Sequence, residues 1–351
     1  MNNVWKLELP DSIDTIIFFC EGGIGKNIAS TAVIRAIKKQ FPTKKIVVVG
    51  GSPEVFIHNP HVKKLFNFGN ALHFYSDLIA DNPSAYIMKV EPYMHYDYLN
   101  KNKHVVECWC EMLGIEPDGV EPDLFFSPNE LEAAKLYVDE FTNNGKKKFA
   151  IIQWVGGKTP GQPNNPKEMK GLLAEMYRRA TPQKQMQEVV DFLVKECNCK
   201  VGVVQHPNFP KLEGTEVIFF PLRASISLIY YSDYFIGVDS FLQHAASAKQ
   251  IQKKGLVIWG GTAKTCLGYD MQDNWEIKAC PSPACHRPNS YLLDMQINGQ
   301  MWDCPYGEPC MKRNITEVKD RLLKLYPNMI EASVQEDIKE PKETCKCPST
   351  K

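Results

Sequence analysis

The chain has 351 residues, of which 44% are hydrophobic, enough to bury a large core and to favour two domains over one. Its 41 basic and 41 acidic residues cancel, so no global field draws the protein to nucleic acid or to an anionic membrane. Because no apolar run is long enough for a membrane span and residues 1–10 lack the apolar core of a signal peptide, we expect a cytoplasmic protein whose 12 cysteines are thiols rather than a disulfide framework.

The first predicted unit is a buried strand over residues 13–20 that passes through a glycine turn into a helix over residues 27–41. This order is typical of phosphate-binding loops. However, a P-loop would need glycine at Cys20 and Ser or Thr at Asn27, and a dinucleotide fingerprint would need glycine at Ile28. The turn therefore either binds a ligand or only allows close helix packing.

A second strand is predicted over residues 45–50 and a helix over residues 105–114. Between them, residues 88–98 are dense in aromatic and titratable side chains, including Glu91. Such a loop at the end of a strand could hold an acceptor molecule, or it could be a packed loop whose tyrosine hydroxyls are satisfied locally.

A domain boundary is predicted between residues 126 and 129, followed by a helix over residues 131–141 and a strand over residues 149–154. Farther along, Thr181 and Pro182 predict a helix start as cap and first-turn proline. A strand over residues 200–206 follows. The charged, proline-rich end of the chain, residues 326–351, is predicted to be disordered.

Residues 217–262 carry the clearest pattern of the chain. Two buried β-rich runs, residues 234–238 and 255–259, flank a helical pattern, as in a right-handed βαβ unit of a parallel sheet. Asp239 and Ser240 lie where the first strand becomes the helix, and Ser240 is predicted to cap that helix. Such strand ends form the crevice in which open α/β sheets bind ligands.

Three stretches together resemble glycosyltransferase family 9, the heptosyltransferase-like group. They are the glycine turn ending at Gly25 with its helix, the sequence FIGVDSFLQH at residues 235–244, and WGGT at residues 259–262. The resemblance implies an α/β fold of the GT-B type, in which two Rossmann-like domains face a central cleft. The acceptor would lie on an N-terminal domain, residues 1–128, and the nucleotide-sugar donor on a C-terminal domain, residues 129–325.

A nucleotide diphosphate needs backbone N–H donors and a helix N-terminus, and these groups follow the strands of the second domain. His244 would bond a phosphate oxygen, and Lys158 would neutralise the leaving diphosphate, with Arg178 or Arg179 as a second cation. The predicted donor-binding residues are Gly25, Gly157, Lys158, Arg178, Gln205, Asp239, Ser240, His244, Gly260, Gly261 and Thr262.

The sequence departs from the family at Lys26. Members typically carry there an aspartate that is thought to deprotonate the acceptor hydroxyl. A lysine is protonated at neutral pH unless it is strongly desolvated. The catalytic candidates are therefore Glu21, Glu91 and Lys26 itself.

Four cysteines predict a metal finger over residues 279–311, because two close pairs flank a predicted hairpin turning at residues 298–299. The alternative is free thiols, with His286 as a substitute ligand. The predicted ligands are Cys280, Cys285, Cys304 and Cys310. A four-cysteine finger resembles that of the autotransporter heptosyltransferase branch, where it holds iron and the proteins form rings; thiolate sites suit zinc or iron.

The sequence therefore predicts an inverting glycosyltransferase that moves heptose or a related sugar from a nucleotide-diphosphate donor to a glycan, lipid-linked or protein acceptor. We expect one structural zinc or iron ion, no catalytic metal, and allow for a homo-oligomer. One alternative is a non-catalytic sugar-nucleotide-binding or assembly module. Another is a transferase acting on nucleic-acid bases, which the zero net charge disfavours.

Overall fold

The computed structural model describes residues 5–71, 73–80, 82–156, 179–276, 280, 281, 284, 306 and 309–330. Within these residues, the strands form two parallel sheets, and helices cover them. The central strands of both sheets are short runs rich in Val, Ile and Phe that are buried on both faces, as is typical of parallel strands covered by helices.

The first sheet has four parallel strands in the order β3-β2-β1-β4. The strands are β1 (Thr15–Cys20), β2 (Lys45–Gly50), β3 (Lys64–Asn67) and β4 (Ala85–Met88). The helices of this part are α1 (Ile24–Gln40), α2 (Tyr96–Leu99) and α3 (Val105–Met112), with 3₁₀ turns at Pro53–Phe56 and Pro92–Met94 and a π-helical turn at Ser76–Ala80.

The second sheet has six parallel strands in the order β10-β9-β8-β5-β6-β7. The strands are β5 (Lys148–Ile152), β6 (Cys199–Val204), β7 (Thr215–Ile218), β8 (Tyr234–Val238), β9 (Leu256–Trp259) and β10 (Asp273–Glu276). The helices are α4 (Pro128–Phe141), α5 (Gln183–Lys195), α6 (Leu222–Tyr231), α7 (Phe241–Ala246), α8 (Lys264–Leu267) and α9 (Ile315–Leu325), and a 3₁₀ turn spans Pro309–Met311.

The ends of the predicted strands lie within two residues of the observed ends. Two other predictions, on a helix start and on the disordered tail, were wrong. Thr181 does not cap a helix: α5 begins at Gln183 with Pro182 as its N-cap residue, and the buried Thr181 hydroxyl bonds to no described residue. The predicted disordered tail does not begin at residue 326. Tyr326 donates to the Lys254 carbonyl at 2.7 Å, and Met329 is fully buried. Residues 331–351 lie outside the described part.

One hydrophobic cluster runs through both halves of the molecule. It includes Ile16 and Phe18 of β1, Phe149 of β5, and Leu242 and Ala246 of α7. Helix α1 packs against α7, so it is buried on nearly all sides rather than along one stripe. The apolar contact between these two helices holds the two sheets in one body.

A polar anchor at Arg223 joins the halves a second time. From α6, its guanidinium donates to the carbonyls of Glu54 and Phe125 in the first half at 3.1 and 2.7 Å. Within the second half, it donates to both carboxylate oxygens of Glu130 at 2.5 and 2.9 Å. Glu130 also forms a capping box with Ser127 at the start of α4. Among the described helices, none has the length and apolar character needed to cross a bilayer.

Candidate active site

A cavity of about 870 Å³ lies between the two sheets, a volume in the range of small-molecule sites. Its wall is built largely from the carboxyl ends of strands. Glu21 follows β1, Gln153 follows β5, Gln205 follows β6, Phe219 follows β7 and Asp239 follows β8. Because the strands of each sheet are parallel, one edge of each sheet presents all of these residues to the same space.

Asp239 and Arg179 form a buried ion pair in the second-sheet wall. Nε of Arg179 lies 3.2 Å from Oδ2 of Asp239, but its N–H points to the Asp239 carbonyl, which also accepts from Nη2 at 2.7 Å. The carboxylate is 2% exposed and accepts no hydrogen bond from a described residue. It is therefore a buried acceptor, balanced in charge but open to a ligand donor.

Gln153, rather than the Ser240 side chain, caps α7. Ser240 is the N-cap residue, but its hydroxyl accepts no bond from the helix, which makes the predicted cap wrong. Instead, Oε1 of Gln153 accepts from the Leu242 N–H at 3.1 Å. The Ser240 side chain therefore remains in the cavity wall without a capping role.

His244 lies deep in the same wall and is 4% exposed. Its Nδ1 is 2.8 Å from the Tyr269 hydroxyl, and its Nε2 is 3.2 Å from Nε2 of Gln243. Burial lowers the pKa of the imidazole from 6.5 to about 4, so the ring is neutral near pH 7. Gly25 lies against the ring, so both residues are brought to the cavity from opposite halves of the molecule.

Gln205 lines the cavity, but its polar atoms are already bonded. Its Oε1 accepts from Nε1 of Trp154 at 2.7 Å, and its amide nitrogen donates to the carbonyls of Phe209 and Pro210 at 3.5 and 3.3 Å. The side chain therefore fixes the loop after β6.

The glycine pair after β9 is not at the cavity. Gly260, Gly261 and Thr262 are all buried, and none of them lines it. The strand order explains this, because the cavity residues follow β8, β5, β6 and β7, whereas β9 lies on the far side of β8.

Lys26 and Glu91 form an ion pair in the first-sheet wall. The Lys26 ammonium is 2.8 Å from Oε2 of Glu91, and the two side chains are 6% and 35% exposed. Glu21 lies in the same wall and pairs with Lys89 at 2.5 Å. The structure thus brings all three sequence-predicted catalytic candidates to one side of the cavity.

Aromatic side chains line the mouth of the cavity on the second sheet, and the sequence analysis did not select them. The rings of His206 and Phe219 meet edge to face at 4.8 Å, and Phe209 and Phe220 complete this wall. Phe219 is 58% exposed. The available signal was a pair of phenylalanines directly after an apolar strand, where a chain turning to solvent ordinarily carries polar residues.

Of the four predicted metal ligands, two are described. Cys280 is buried and Cys310 is half-buried. Cys285 and Cys304 lie outside the described residues, as do Gly157, Lys158 and Arg178 of the predicted donor site and the alternative ligand His286.

A second group of metal-ligand types, His95, Asp97 and Glu111, has its ligand atoms within 4.8 Å of one another. The Lys103 ammonium lies 2.9 Å from Asp97 and 2.6 Å from Glu111. Because a lysine already neutralises the carboxylates, this cluster is a salt-bridge network rather than a cation site.

No protein-family model matches the sequence, and no curated protein sequence matches it. Several solved structures are similar to this chain. The glycosyl transferase family 9 structure from Veillonella parvula DSM 2008 aligns with a TM-score of 0.60 at 12% identity, covering 91% of this chain and 97% of that one. E. coli ADP-heptose lps heptosyltransferase II aligns at 0.59 with 12% identity, covering 91% and 100%.

The dodecameric iron-containing heptosyltransferase TibC, solved in complex with ADP-D-β-D-heptose, aligns at 0.58 with 13% identity, covering 92% of this chain and 78% of that one. Each of these alignments covers more than nine-tenths of this chain. The chain therefore has the GT-B fold of the family 9 heptosyltransferase structures.

Proposed function

We propose that this protein is a glycosyltransferase of family 9 that transfers a sugar from a nucleoside diphosphate to an acceptor hydroxyl with inversion. The observation that carries the proposal is the cavity that joins the carboxyl ends of both sheets, with Asp239 and Arg179 on one wall and Lys26 and Glu91 on the other. The donor binds the second sheet and the acceptor binds the first. The division into an acceptor domain, residues 1–128, and a donor domain, residues 129–325, follows this assignment.

The second-sheet wall of the cavity, where the nucleotide sugar would bind, offers a distinct partner for each part of that ligand. The open carboxylate of Asp239 suits a sugar hydroxyl, since a carboxylate only accepts hydrogen bonds. Arg179 suits the diphosphate, together with the predicted Lys158. The aromatic wall around Phe219 suits a flat nucleobase.

The N-terminus of α1 supplies further donors for the diphosphate or for an anionic group of the acceptor. The turn at Gly22 and Gly23 lines the cavity, no side chain caps the helix, and its first turn contains no acidic residue. A helix of 17 residues places roughly half a positive charge at such an end. The acceptor classes remain the glycans, lipid-linked glycans and proteins that the sequence predicted.

The rival function is a non-catalytic module that binds a sugar nucleotide, and Lys26 favours it because the family's presumed base is replaced. We infer that transfer is retained, because Glu91 supplies a carboxylate 2.8 Å from the Lys26 ammonium. Release of nucleoside diphosphate from a bound donor separates the two functions, since a module that only binds would protect the donor.

We further propose that Cys280, Cys285, Cys304 and Cys310 hold one structural zinc or iron ion. Four thiolates satisfy a tetrahedral ion and leave no open position for substrate, so the metal would serve folding or assembly. TibC is described as iron-containing and dodecameric, which supports a metal-dependent oligomer here. Mass spectrometry should find close to one metal ion per chain, and Cys304→Ser should lower this value and weaken the oligomer. Metal-free protein with four titratable thiols would contradict the proposal.

A thermal-shift screen tests which nucleotide sugar binds as the donor. ADP-D-β-D-heptose is the first probe, with ADP-glucose and UDP-glucose beside it, because the sugar and the nucleotide are both unassigned. A ligand at 100 times its Kd stabilises the fold by about 2.7 kcal/mol, which is readily measured. A shift with one nucleotide sugar followed by release of its nucleoside diphosphate supports the proposal. No shift with any of a broad panel would contradict it.

A further inference from the structure

Three hydrogen bonds hold the carboxylate of Glu91 in the cavity wall. Nζ of Lys26 donates to Oε1 at 2.9 Å and to Oε2 at 2.8 Å. The backbone N–H of Tyr93 donates to Oε1 at 3.3 Å. Because the group is bound at both oxygens, its plane is fixed before a substrate arrives.

Lys26 is itself held from several sides. Its side chain is 6% exposed, and its ammonium lies 5.1 Å from the ring centre of Tyr93 and 5.4 Å from that of Trp109. Aromatic faces are negative and favour a cation. The two rings and the burial therefore hold the Lys26 side chain in place against Glu91.

Glu91 keeps capacity for one more donor. An ionised carboxylate has about four acceptor sites, two on each oxygen. The described residues fill both sites of Oε1 and one of Oε2. The remaining site is on Oε2, in a side chain that is one-third exposed and lines the cavity.

The other titratable groups of the cavity are less suited to take a proton from an acceptor. Glu21 pairs with an exposed lysine and is itself 39% exposed, so its position is weakly fixed. Asp239 belongs to the opposite wall and faces Arg179. His244 is bonded to Tyr269 and lies on the donor side.

We propose that Glu91 is the general base of the reaction and that Lys26 is its positioning residue. The inference rests on the proposed glycosyl transfer. Oε2 of Glu91 takes the proton of the acceptor hydroxyl, and the hydroxyl oxygen uses its electron pair to form the new bond to the anomeric carbon. The bond between that carbon and the diphosphate oxygen breaks, and its electron pair leaves with the nucleoside diphosphate.

The test measures ADP released from ADP-D-β-D-heptose, with water or a glycan library as acceptor, beside donor affinity by calorimetry. Glu91→Gln keeps the shape and should lower kcat by about a hundredfold or more with donor affinity unchanged. Glu111→Gln is the matched control, because that glutamate also pairs with a lysine but lies outside the cavity; its kcat should equal that of the wild type.

Lys26→Met tests the positioning role. It should lower kcat with little change in donor affinity, because Glu91 loses the cation that fixes its carboxylate, and Lys26→Arg, which keeps a cation there, should recover part of the loss. A purely structural lysine would reduce the yield of folded enzyme but leave the kcat of the folded fraction unchanged, and that result would overturn the positioning role.

A Glu91→Gln enzyme within threefold of the wild-type kcat, or loss of turnover in Glu21→Gln alone, would overturn Glu91 as the base. If Glu91→Gln does not fold, Glu91→Asp replaces it: the charge stays but the carboxylate withdraws by one methylene. A large fall in kcat at unchanged donor affinity then supports the proposal, and an unchanged kcat refutes it. If the wild type binds no donor and releases no ADP, the failure lies in the proposed function instead.

Discussion

The Cα of Gly25 in α1 lies against the imidazole of His244 in α7, so a Cβ at Gly25 would be 2.9 Å from Cδ2 of the ring. At this glycine the first half of the molecule contacts the second at the cavity wall. The added Cβ would also lie 3.7 Å from the Phe241 Cα, so backbone as well as ring atoms limit this position.

Gly25→Ala should therefore destabilise the protein although alanine favours the helix. The clash should cost about 1–3 kcal/mol, against a gain of about 1 kcal/mol in helix propensity. In a His244→Ala background the space is open, and the same change should be neutral or stabilising. Urea unfolding of the four proteins measures the difference. Equal effects of Gly25→Ala in both backgrounds would show that the ring does not limit this position.

Arg223 and Glu130 should be strongly coupled. A double-mutant cycle with Arg223→Met and Glu130→Gln should give a coupling free energy of about 1–3 kcal/mol, because the pair is bidentate and the arginine is 11% exposed. The exposed pair of Lys135 and Asp139 on the same α4 helix is the control and should give about 0.3–0.5 kcal/mol. Coupling no larger than that of the control would mean that Glu130 does not hold the Arg223 guanidinium in place.

Two buried histidines should make the protein less stable in mild acid. Burial lowers the pKa of His244 to about 4 and that of His104 to about 3, below the 6.5 of an unfolded histidine. Between those values the unfolded chain binds protons that the folded chain does not. The two histidines therefore cost the folded state nothing well above pH 6.5. As the pH falls, each lowers the free energy of unfolding, by about 1.4 kcal/mol at pH 5.5.

Urea unfolding at pH 7.5 and pH 5.5 tests this dependence. His244→Gln should reduce the pH-dependent loss of unfolding free energy by about half of the combined histidine contribution. His73→Gln is the control, because that histidine is exposed. A loss of stability that is the same in the wild type and in His244→Gln would contradict the burial argument.

Asp239 should be needed for donor affinity. Asp239→Asn and Asp239→Ala should weaken binding of the nucleotide sugar found in the screen by roughly 1.5–3 kcal/mol, the usual loss of a charge-assisted hydrogen bond. His244→Ala should act in the same direction. Titration calorimetry measures the change, with the exposed Asp270→Asn as control. Unchanged affinity in both Asp239 variants would place the donor elsewhere.

The sequence predicted β1, β2, β5, β6, β8 and β9 well because each is a short β-branched or aromatic run, but it did not predict β3, β4 or β10. It also placed Gly25, Lys26, Glu91, Asp239 and His244 at the ends of strands, and all five line the cavity. The prediction of these five residues succeeded because parallel strands bring their carboxyl ends to one edge of the sheet. A residue that follows a strand in the sequence is therefore expected at that edge.

The remaining parts of the site depend on contacts between distant segments, which no local pattern encodes. Gln153 caps α7 across 89 positions of sequence, and Arg179 reaches the Asp239 carbonyl across 60. Like Asp239, the glycine pair directly follows a buried parallel strand, which predicts a place at the ligand-binding edge. However, β9 lies on the far side of β8, so the pair does not line the cavity. The strand order, which the sequence does not show, distinguishes the two positions.

The burial of α1 by α7 also bears on synthesis at the ribosome. The first sheet is complete once Met88 has emerged, but α7 begins at Phe241, about 150 residues later. At 5–20 residues per second, the apolar side of α1 that α7 covers waits on the order of ten to thirty seconds for its partner. The nascent first half therefore exposes the apolar side of α1 to solvent until α7 has been synthesised.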